Sequence, residues 1–416
     1  MNPSYNEIVR VFGRIGVLSF GGPAAQISLM HQELVERRPW LDEQSYLRAL
    51  SLCMLLPGPE AMQLATYAGW RLRGVSGGLI AGGLFVLPGA VIIAALVGLY
   101  AAYGELPLVQ SAFLGVKATV IVIVLQALQK LSGKALVDAE HRLIAALGFF
   151  AIFLFNLPFP LIILAAATWG YVSFRGDALS ALPTDPIQTR PLRTASVWLT
   201  LWLGPLIILS LTGPKLLSDL GWFFARLAVV TFGGAYAVLA YMTQTVVDKY
   251  HWISTDQMID ALGLAETTPG PLILVTQFVA MLSGQISGGP ALAIAAGIVS
   301  LWATFVPCFL WIFLAAPYLE WISARPRLSS ALHGITAAVV GVILNLSVWF
   351  GMNVVFGSVS QRALGPITLA VPDIQTINLA ALTLTIVAGI LIFQFKIGLA
   401  VTLLLTAIAG MMFHFI

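Results

Sequence analysis

Charge is scarce in this chain. Asp, Glu, Lys and Arg make up 9% of its 416 residues, against 59% hydrophobic residues. Soluble domains carry roughly a quarter charged residues, so a water-facing globular fold is excluded. Cysteine is scarcer still: Cys53 and Cys308 lie in apolar segments with no partner at metal or redox spacing, and read as small buried hydrophobes. His31, His141, His251, His333 and His414 are scattered, and none stands beside Cys or carboxylates at ligand spacing, so no metal and no cofactor is expected. Acids inside the apolar runs are few, which argues against a divalent-cation path lined by Asp and Glu. There is no Walker-type phosphate loop, so ATP is not the direct energy source, and no nucleophile–base set that would mark an enzyme. A net charge of +3 is too weak to argue for nucleic acid.

Apolar runs are what the chain has. Stretches of about 20 residues, enough to cross a bilayer core, recur along most of its length and are continuous, where a β-barrel would alternate. The fold class is therefore an all-α polytopic membrane protein embedded in a lipid bilayer. Met1 to Arg10 is polar and no small-residue cleavage site follows a short apolar run, so no removable signal peptide is expected. The apolar segments fall at 8–30, 47–70, 76–103, 107–130, 142–157 and 159–174, then 196–213, then 221–247, 257–285, 288–320, 328–356, 376–394 and 397–416. A polar, Pro-containing stretch from Arg175 to Arg193 is the one plausible linker.

The chain also repeats itself. Ser19-Phe20-Gly21-Gly22 returns as Thr231-Phe232-Gly233-Gly234, and Pro57-Gly58-Pro59 as Pro269-Gly270-Pro271, both 212 residues on (232 − 20 and 269 − 57). Arg14/Arg226 and Trp40/Trp252 keep the same spacing. Farther along, Phe85-Val86-Leu87-Pro88 resembles Thr304-Phe305-Val306-Pro307 and Gly115 matches Gly334, offset by 219 after a small insertion. Three parts follow: a first repeat over 1–175, a linker plus connecting span over 176–217, and a second repeat over 218–416. Six spans, one connecting span and six more place the second repeat upside down. With a cytoplasmic N-terminus and an external C-terminus, the inside loops hold Arg71, Arg73, Lys130, Lys134, Arg142, Arg175, Arg190, Arg193, Lys249, Arg325, Arg327 and Lys396. The outside loops hold Arg37, Arg38, Lys215 and Arg362, a positive-inside bias of twelve to four. About 10–13 transmembrane segments in two inverted-topology repeats are expected; segments with Gly-Gly or Pro-Gly-Pro are either full spans or re-entrant hairpins.

The repeated motifs carry the chemistry. Two prolines around a glycine remove two backbone donors and admit dihedrals other residues avoid, so no regular helix passes through Pro57-Gly58-Pro59 or Pro269-Gly270-Pro271. In hydrocarbon the freed backbone groups must face protein or a watered cavity. Paired broken helices in the two halves point to a transporter's binding site. A helix that restarts after Gly21-Gly22 or Gly233-Gly234 presents unpaired amides and a positive dipole end, which suits an anion, and Ser19 and Thr231 add hydroxyls. Close helix packing through the same small residues is the plainer alternative. Arg14 and Arg226 precede the motifs by five residues; a guanidinium inside an apolar segment faces a cavity or a partner, or snorkels to an interface, and its planar fork fits oxyanions. Lys117 is a further cation inside an apolar segment, with Thr336 as its copy. Glu60, aligned with Leu272, and Glu266 are the acids placed for proton coupling. Gln63 and Gln277 stand near the breaks as hydrogen-bond donors.

Taken in order, Phe12-Gly13-Arg14, Ser19-Phe20-Gly21-Gly22-Pro23, Leu56-Pro57-Gly58-Pro59-Glu60, Gln63-Leu64-Ala65-Thr66, Phe85-Val86-Leu87-Pro88-Gly89, Thr231-Phe232-Gly233-Gly234 and Glu266-Thr267-Thr268-Pro269-Gly270-Pro271 resemble a long-chain member of the chromate ion transporter family. The resemblance spans nearly the whole chain. It implies two homologous halves of opposite orientation and export of chromate from the bacterial cytoplasm across the inner membrane, driven by the proton-motive force, giving chromate resistance. The copies differ where Ala235 replaces Pro23 and Leu272 aligns with Glu60, so coupling is expected in the first half. Arginine forks and helix-start amides hold sulfate as readily as chromate, so a sulfate or other oxyanion transporter and a passive anion channel stay open as alternatives. The chain also leaves open whether it acts alone or as a homodimer.

Overall fold

The computed structural model describes residues 3–173, 190–232, 235–319, 325–364 and 367–413. Most of the expected linker, together with Gly233 and Gly234, lies outside the described residues. Fifteen α-helices run through the described residues: α1 (Tyr5–Leu18), α2 (Gly22–His31), α3 (Glu43–Leu55), α4 (Glu60–Tyr103), α5 (Pro107–Ala135), α6 (Ala139–Phe153), α7 (Phe159–Ser173), α8 (Pro191–Thr212), α9 (Lys215–Val230), α10 (Ala235–Thr243), α11 (Thr255–Thr267), α12 (Val275–Ala315), α13 (Pro326–Val355), α14 (Leu379–Gly389) and α15 (Leu399–Phe413). Local chemistry sets many of their starts. Ser4 and Glu7 form a capping box on α1, Asp42 and Asp138 cap α3 and α6, and proline opens α5 and α8. A small antiparallel hairpin, β1 (Val359–Leu364) with β2 (Ile367–Pro372), interrupts the helices, with Val359 opposite Pro372. The Thr368 amide donates to the Leu154 carbonyl at 2.8 Å and ties this hairpin to the end of α6.

The helical, multi-pass architecture holds, with a refinement at the breaks. Among the described residues, five elements are long and apolar enough to cross a membrane: Glu60–Tyr103, Pro107–Ala135, Pro191–Thr212, Leu272–Tyr318 and Pro326–Val355. The segments at 8–30, 47–70, 221–247 and 257–285 are instead each divided into shorter helices at the motifs. With 14, 10 and 13 residues, α1, α2 and α3 are each too short for a hydrocarbon core of about 30 Å at about 1.5 Å per residue.

Both halves contain the same kink. In α4 the chain turns at Arg73 (φ −141°, ψ 26°) and Gly74 (φ 63°, ψ −154°); in α12 it turns at Gly288 (φ −167°, ψ 19°) and Gly289 (φ 78°, ψ −169°). The left-handed φ at Gly74 and Gly289 is what glycine permits. Each kink folds its helix back on itself, so a Cβ on Gly69 would overlap the Gly77 carbonyl and one on Gly284 would lie 2.7 Å from the Leu292 carbonyl.

These kinks resolve the insertion. α1 and α9 end 212 apart (230 − 18), and α3 and α11 match at both ends (255 − 43, 267 − 55). The kinks are 215 apart (289 − 74), and α5 and α13 begin 219 apart (326 − 107). The first three extra residues are the 3₁₀ turn Leu272–Leu274, directly after Pro271. Glu60 therefore opens α4 as Val275 opens α12, and its structural counterpart is Val275, not Leu272. The remaining four fall between Gly289 and Pro307 inside α12, where they add about one turn and keep the same face inward.

Two compact units cut across the halves: Met1–Val97, Ser173–Ala235 and Thr268–Ser330 form one, and Gly98–Val172, Tyr236–Thr267 and Ala331–Ile416 form the other. In the first, α12 packs on α8 and α9, and the Trp202 indole donates to the Ala303 carbonyl at 3.0 Å. In the second, α5 of the first half packs on α14 and α15 of the second half. Conversely, α13 of the second half meets α6 and α7 of the first, with Gly334 against the Ala166 carbonyl and Gly341 against that of Ala145. The matched glycines Gly115 and Gly334 thus occupy equivalent crossings, Gly115 lying against the Thr406 carbonyl. Small residues let helix backbones approach closely where lipid supplies no hydrophobic drive between helices.

Gly115→Val is expected to lower the thermal midpoint and the membrane yield of the detergent-purified protein, because its side chain has no room beside Thr406. Gly83→Ala, where a Cβ meets nothing within 4 Å, should leave both unchanged. Equal melting curves for the two variants would contradict this packing.

Candidate functional site

All four helix breaks lie in the first unit, and they cross in pairs. Ser19 (φ −77°, ψ 61°) and Thr231 (φ −77°, ψ 88°) end α1 and α9 in the same way. At each, the next residue's amide turns back two residues, Phe20 to Leu18 at 2.9 Å and Phe232 to Val230 at 3.1 Å, as in an inverse γ-turn. The Ser19 hydroxyl donates to the Ile15 carbonyl and the Thr231 hydroxyl to the Leu227 carbonyl, each at 2.6 Å. Both side chains are buried, and both hydroxyl protons close the last turn of their own helix.

The carbonyls of these two residues reach across to the opposite half. The Gly58 amide donates to the Thr231 carbonyl at 2.8 Å, and the Gly270 amide donates to the Ser19 carbonyl at 2.9 Å. The Pro-Gly-Pro break of each half is thus bonded to the Ser/Thr-Phe-Gly-Gly break of the other. Gly58 (φ 123°) and Gly270 (φ 90°) sit in the left-handed region, so glycine is required at both crossings. At Gly58 a Cβ would also lie 2.7 Å from Gln63 Nε2 and 3.0 Å from the Cys308 sulfur. Side-chain amides complete the joint. Gln63 donates to the Pro57 carbonyl at 2.7 Å, and Gln26 donates to the Gly270 carbonyl at 2.7 Å and the Ser19 carbonyl at 3.2 Å. Gln277 donates to the Ala90 carbonyl at 3.0 Å on α4. Pro57, Pro59, Pro269 and Pro271 flank a joint whose freed backbone groups meet protein, as an apolar medium demands.

The open polar surface is beside this joint. α2 begins at Gly22 with Gly21 (φ 86°) as its N-cap and no side-chain cap on its first amides. Gly21 is exposed, Gly22 is half-buried, and Phe20 is 47% exposed. Arg14 and Arg226 occupy equivalent exposed positions on α1 and α9, each four residues before the helix end. The Arg226 Nε donates to the Trp222 carbonyl at 3.2 Å. Arg14 lies within electrostatic reach of Glu33, a buried carboxylate held by Arg37 at 2.6 Å and by Arg38. Glu33 and Gln26 were not foreseen from the sequence. The signal for Gln26 was a polar side chain inside the first apolar segment after the Gly-Gly break; Glu33 lies just beyond that segment, close to Arg37 and Arg38 in sequence.

Lys117 belongs to the second unit. Its side chain is 10% exposed and its Nζ lies 2.8 Å from Asp256 Oδ1 and 3.5 Å from Asp260 Oδ1. The Tyr100 hydroxyl donates to Asp260 Oδ2 at 2.7 Å. Lys117 is thus a paired cation, and Tyr100, Asp256 and Asp260 are the partners that sequence reading missed. The i, i+4 spacing of the two aspartates on α11 was the available clue. Glu266, on the same helix, accepts the Tyr236 hydroxyl at 2.9 Å. Glu60 is half-buried at the start of α4.

Gln26→Ala takes the side-chain donor from the Gly270 carbonyl, a loss of about 1–3 kcal/mol for an unsatisfied group, while the Ser19 carbonyl keeps the Gly270 amide. The thermal midpoint of the purified protein should fall by several degrees, whereas replacing exposed Ser51 by Ala should not move it. A Gln26→Ala protein as stable as the parent would show that the joint does not depend on this amide.

The chromate transporter family model matches residues 6–171 and again 218–411. Over 343 residues, 82% of each chain, the protein is 32% identical to a chromate transport protein of Cupriavidus metallidurans. It is 31% identical to a probable chromate transport protein of Synechococcus elongatus, over 84% of this chain and 86% of that one. A chromate transport protein of Pseudomonas aeruginosa is 30% identical over 82% of this chain and 79% of its own. No solved structure matches the chain. With the family model matched in both halves and the relatives aligned over most of their length, this membrane protein belongs to the chromate transporter family.

Proposed function

We propose that the protein exports chromate from the cytoplasm across the bacterial inner membrane in exchange for protons, and so confers chromate resistance. The N-terminus is cytoplasmic and the C-terminus external in this reading, and the two halves insert with opposite topology. The observation that carries it is the reciprocal bonding of the four helix breaks, Gly58 to Thr231 and Gly270 to Ser19, in a member of this family. A joint that links each half to the other through two equivalent crossings suits a carrier whose halves exchange roles as the site changes sides.

Anion binding is assigned beside the joint, not within it, because the backbone groups of both Pro-Gly-Pro turns are already bonded. Phe20, Gly21 and Gly22 present the uncapped start of α2, Arg14 supplies charge, and Arg226, Phe232, Gly233 and Gly234 are their copies. Pro57, Gly58, Pro59, Gln63, Pro269, Gly270 and Pro271 form the hinge or wall. Exchange for protons needs a carboxyl that gains and loses a proton in apolar surroundings, and Glu60 and Glu266 are the candidates that the sequence offers.

Flux in proteoliposomes tests the reading. With the lumen more acidic than the bath, chromate should accumulate against its own gradient, and a protonophore should abolish the accumulation. Flux that follows only the chromate gradient would indicate a passive channel, and equal inhibition of uptake by equimolar sulfate would indicate a general oxyanion carrier. Arg14→Ala and Arg226→Ala should each reduce uptake about tenfold or more at normal membrane levels, the loss expected for one charge-assisted contact. Unchanged uptake in either would remove that arginine from the site.

A further inference from the structure

The second unit holds a titratable cluster that the substrate site does not use. Asp260 is 1% exposed, and it lies among Lys117 on α5, Tyr100 on α4 and Asp256 on its own helix, with Glu105 electrostatically close to Tyr100. One ammonium here serves two carboxylates. It sits on the outer one, Asp256, whose side chain is 76% exposed, at 2.8 Å, and faces the buried one at 3.5 Å. Asp260 Oδ2 is satisfied by the Tyr100 hydroxyl, while Oδ1 is buried and has no hydrogen-bond partner among the described residues. A fully ionised cluster would carry one positive and two negative charges, leaving a buried carboxylate without full compensation, which apolar surroundings strongly disfavour.

We infer that Asp260, with Lys117 as its counter-ion, is the group that takes up and releases the coupling proton. The inference rests on the proton-exchange reading above and names a different carboxyl from the two that the sequence suggested. A proton from water on one side forms an O–H bond at Oδ1, the cluster becomes neutral, and the ammonium stays with Asp256. When that bond breaks, the proton passes to water on the other side and the ammonium moves onto the bared Oδ1. Lys117 keeps its three hydrogens throughout, and Tyr100 holds the carboxyl in orientation by its bond to Oδ2.

The cluster occurs once per molecule. At the 212-residue offset, Asp256 and Asp260 align with Gln44 and Arg48 on α3, and at the 219-residue offset Lys117 aligns with Thr336. Gly263, one turn after Asp260, seats α11 on α5, where its Cβ would collide with Val116. The Val116 side chain of α5 therefore rests directly on the α11 backbone beside the ion pair. Duplication supplies the scaffold twice, and this site only one time.

The test uses the full-length protein in proteoliposomes, measuring chromate accumulation driven by a pH gradient and chromate exchange without one. Asp260→Asn should lose gradient-driven accumulation about tenfold or more while retaining exchange within about threefold. Asp260→Glu should restore accumulation. Lys117→Gln should move the pH of half-maximal flux upward by about one pH unit or more, as loss of an opposite charge does. The proposal is overturned by an Asp260→Asn protein that still responds to the gradient, or by one that reaches the membrane normally yet loses exchange as well. Should Asp260→Asn fail to reach the membrane, an unshifted pH profile in Lys117→Gln overturns it. A wild-type protein indifferent to the gradient would instead end the antiport reading itself.

Discussion

Hydrocarbon cannot solvate an amide or a carbonyl, and the rest of this structure depends on that constraint. A helix broken inside an apolar protein exposes backbone groups that cost several kcal/mol each if left alone. Here every break is answered by the other half of the chain. The Thr231 carbonyl takes the Gly58 amide, the Ser19 carbonyl takes the Gly270 amide, and Gln63 and Gln26 meet the carbonyls that remain. Neither half closes its breaks without the other, so the discontinuities also hold the two halves together.

The second unit follows the same logic with side-chain size in place of hydrogen bonds. The long helix of each half packs on the last two helices of the other, through Gly115 on α15 and Gly334 on α7. Glycine at these crossings brings backbones within van der Waals contact, which replaces the hydrophobic drive that lipid does not supply. A duplicated sequence has in this way become an intertwined molecule whose compact units are each built from both copies. The seven residues gained by the second copy are placed where they do least harm: three in a 3₁₀ turn and four as about one extra helical turn.

The scaffold is repeated, but its buried ion pairs are not. Glu33 with Arg37 and Arg38 belongs to the first half, where the second offers Thr245, Lys249 and Tyr250 at the aligned positions. The Lys117 cluster pairs a first-half lysine with second-half aspartates and has no copy. Backbone geometry can serve both halves equally, because it only has to break and rejoin a helix. Charges buried in an apolar interior are costly, so they stand where a single task needs them.

Sequence alone determined the helical membrane class, the duplication, the four breaks and the unequal halves, because composition, spacing and the stereochemistry of Pro and Gly act locally. It also showed Arg14, Arg226 and Lys117 as charges that apolar surroundings would have to accommodate. Tertiary structure decided which groups meet. That Gly58 bonds to Thr231 and not to its own half, that the Ser19 hydroxyl is turned back on Ile15, and that Lys117 lies between Asp256 and Asp260 all depend on contacts more than a hundred residues apart or on rotamers set by packing. The count of crossing helices likewise waited on the fold, since hydropathy is the same for one long helix and for two short ones joined at a Gly-Gly or Pro-Gly-Pro break.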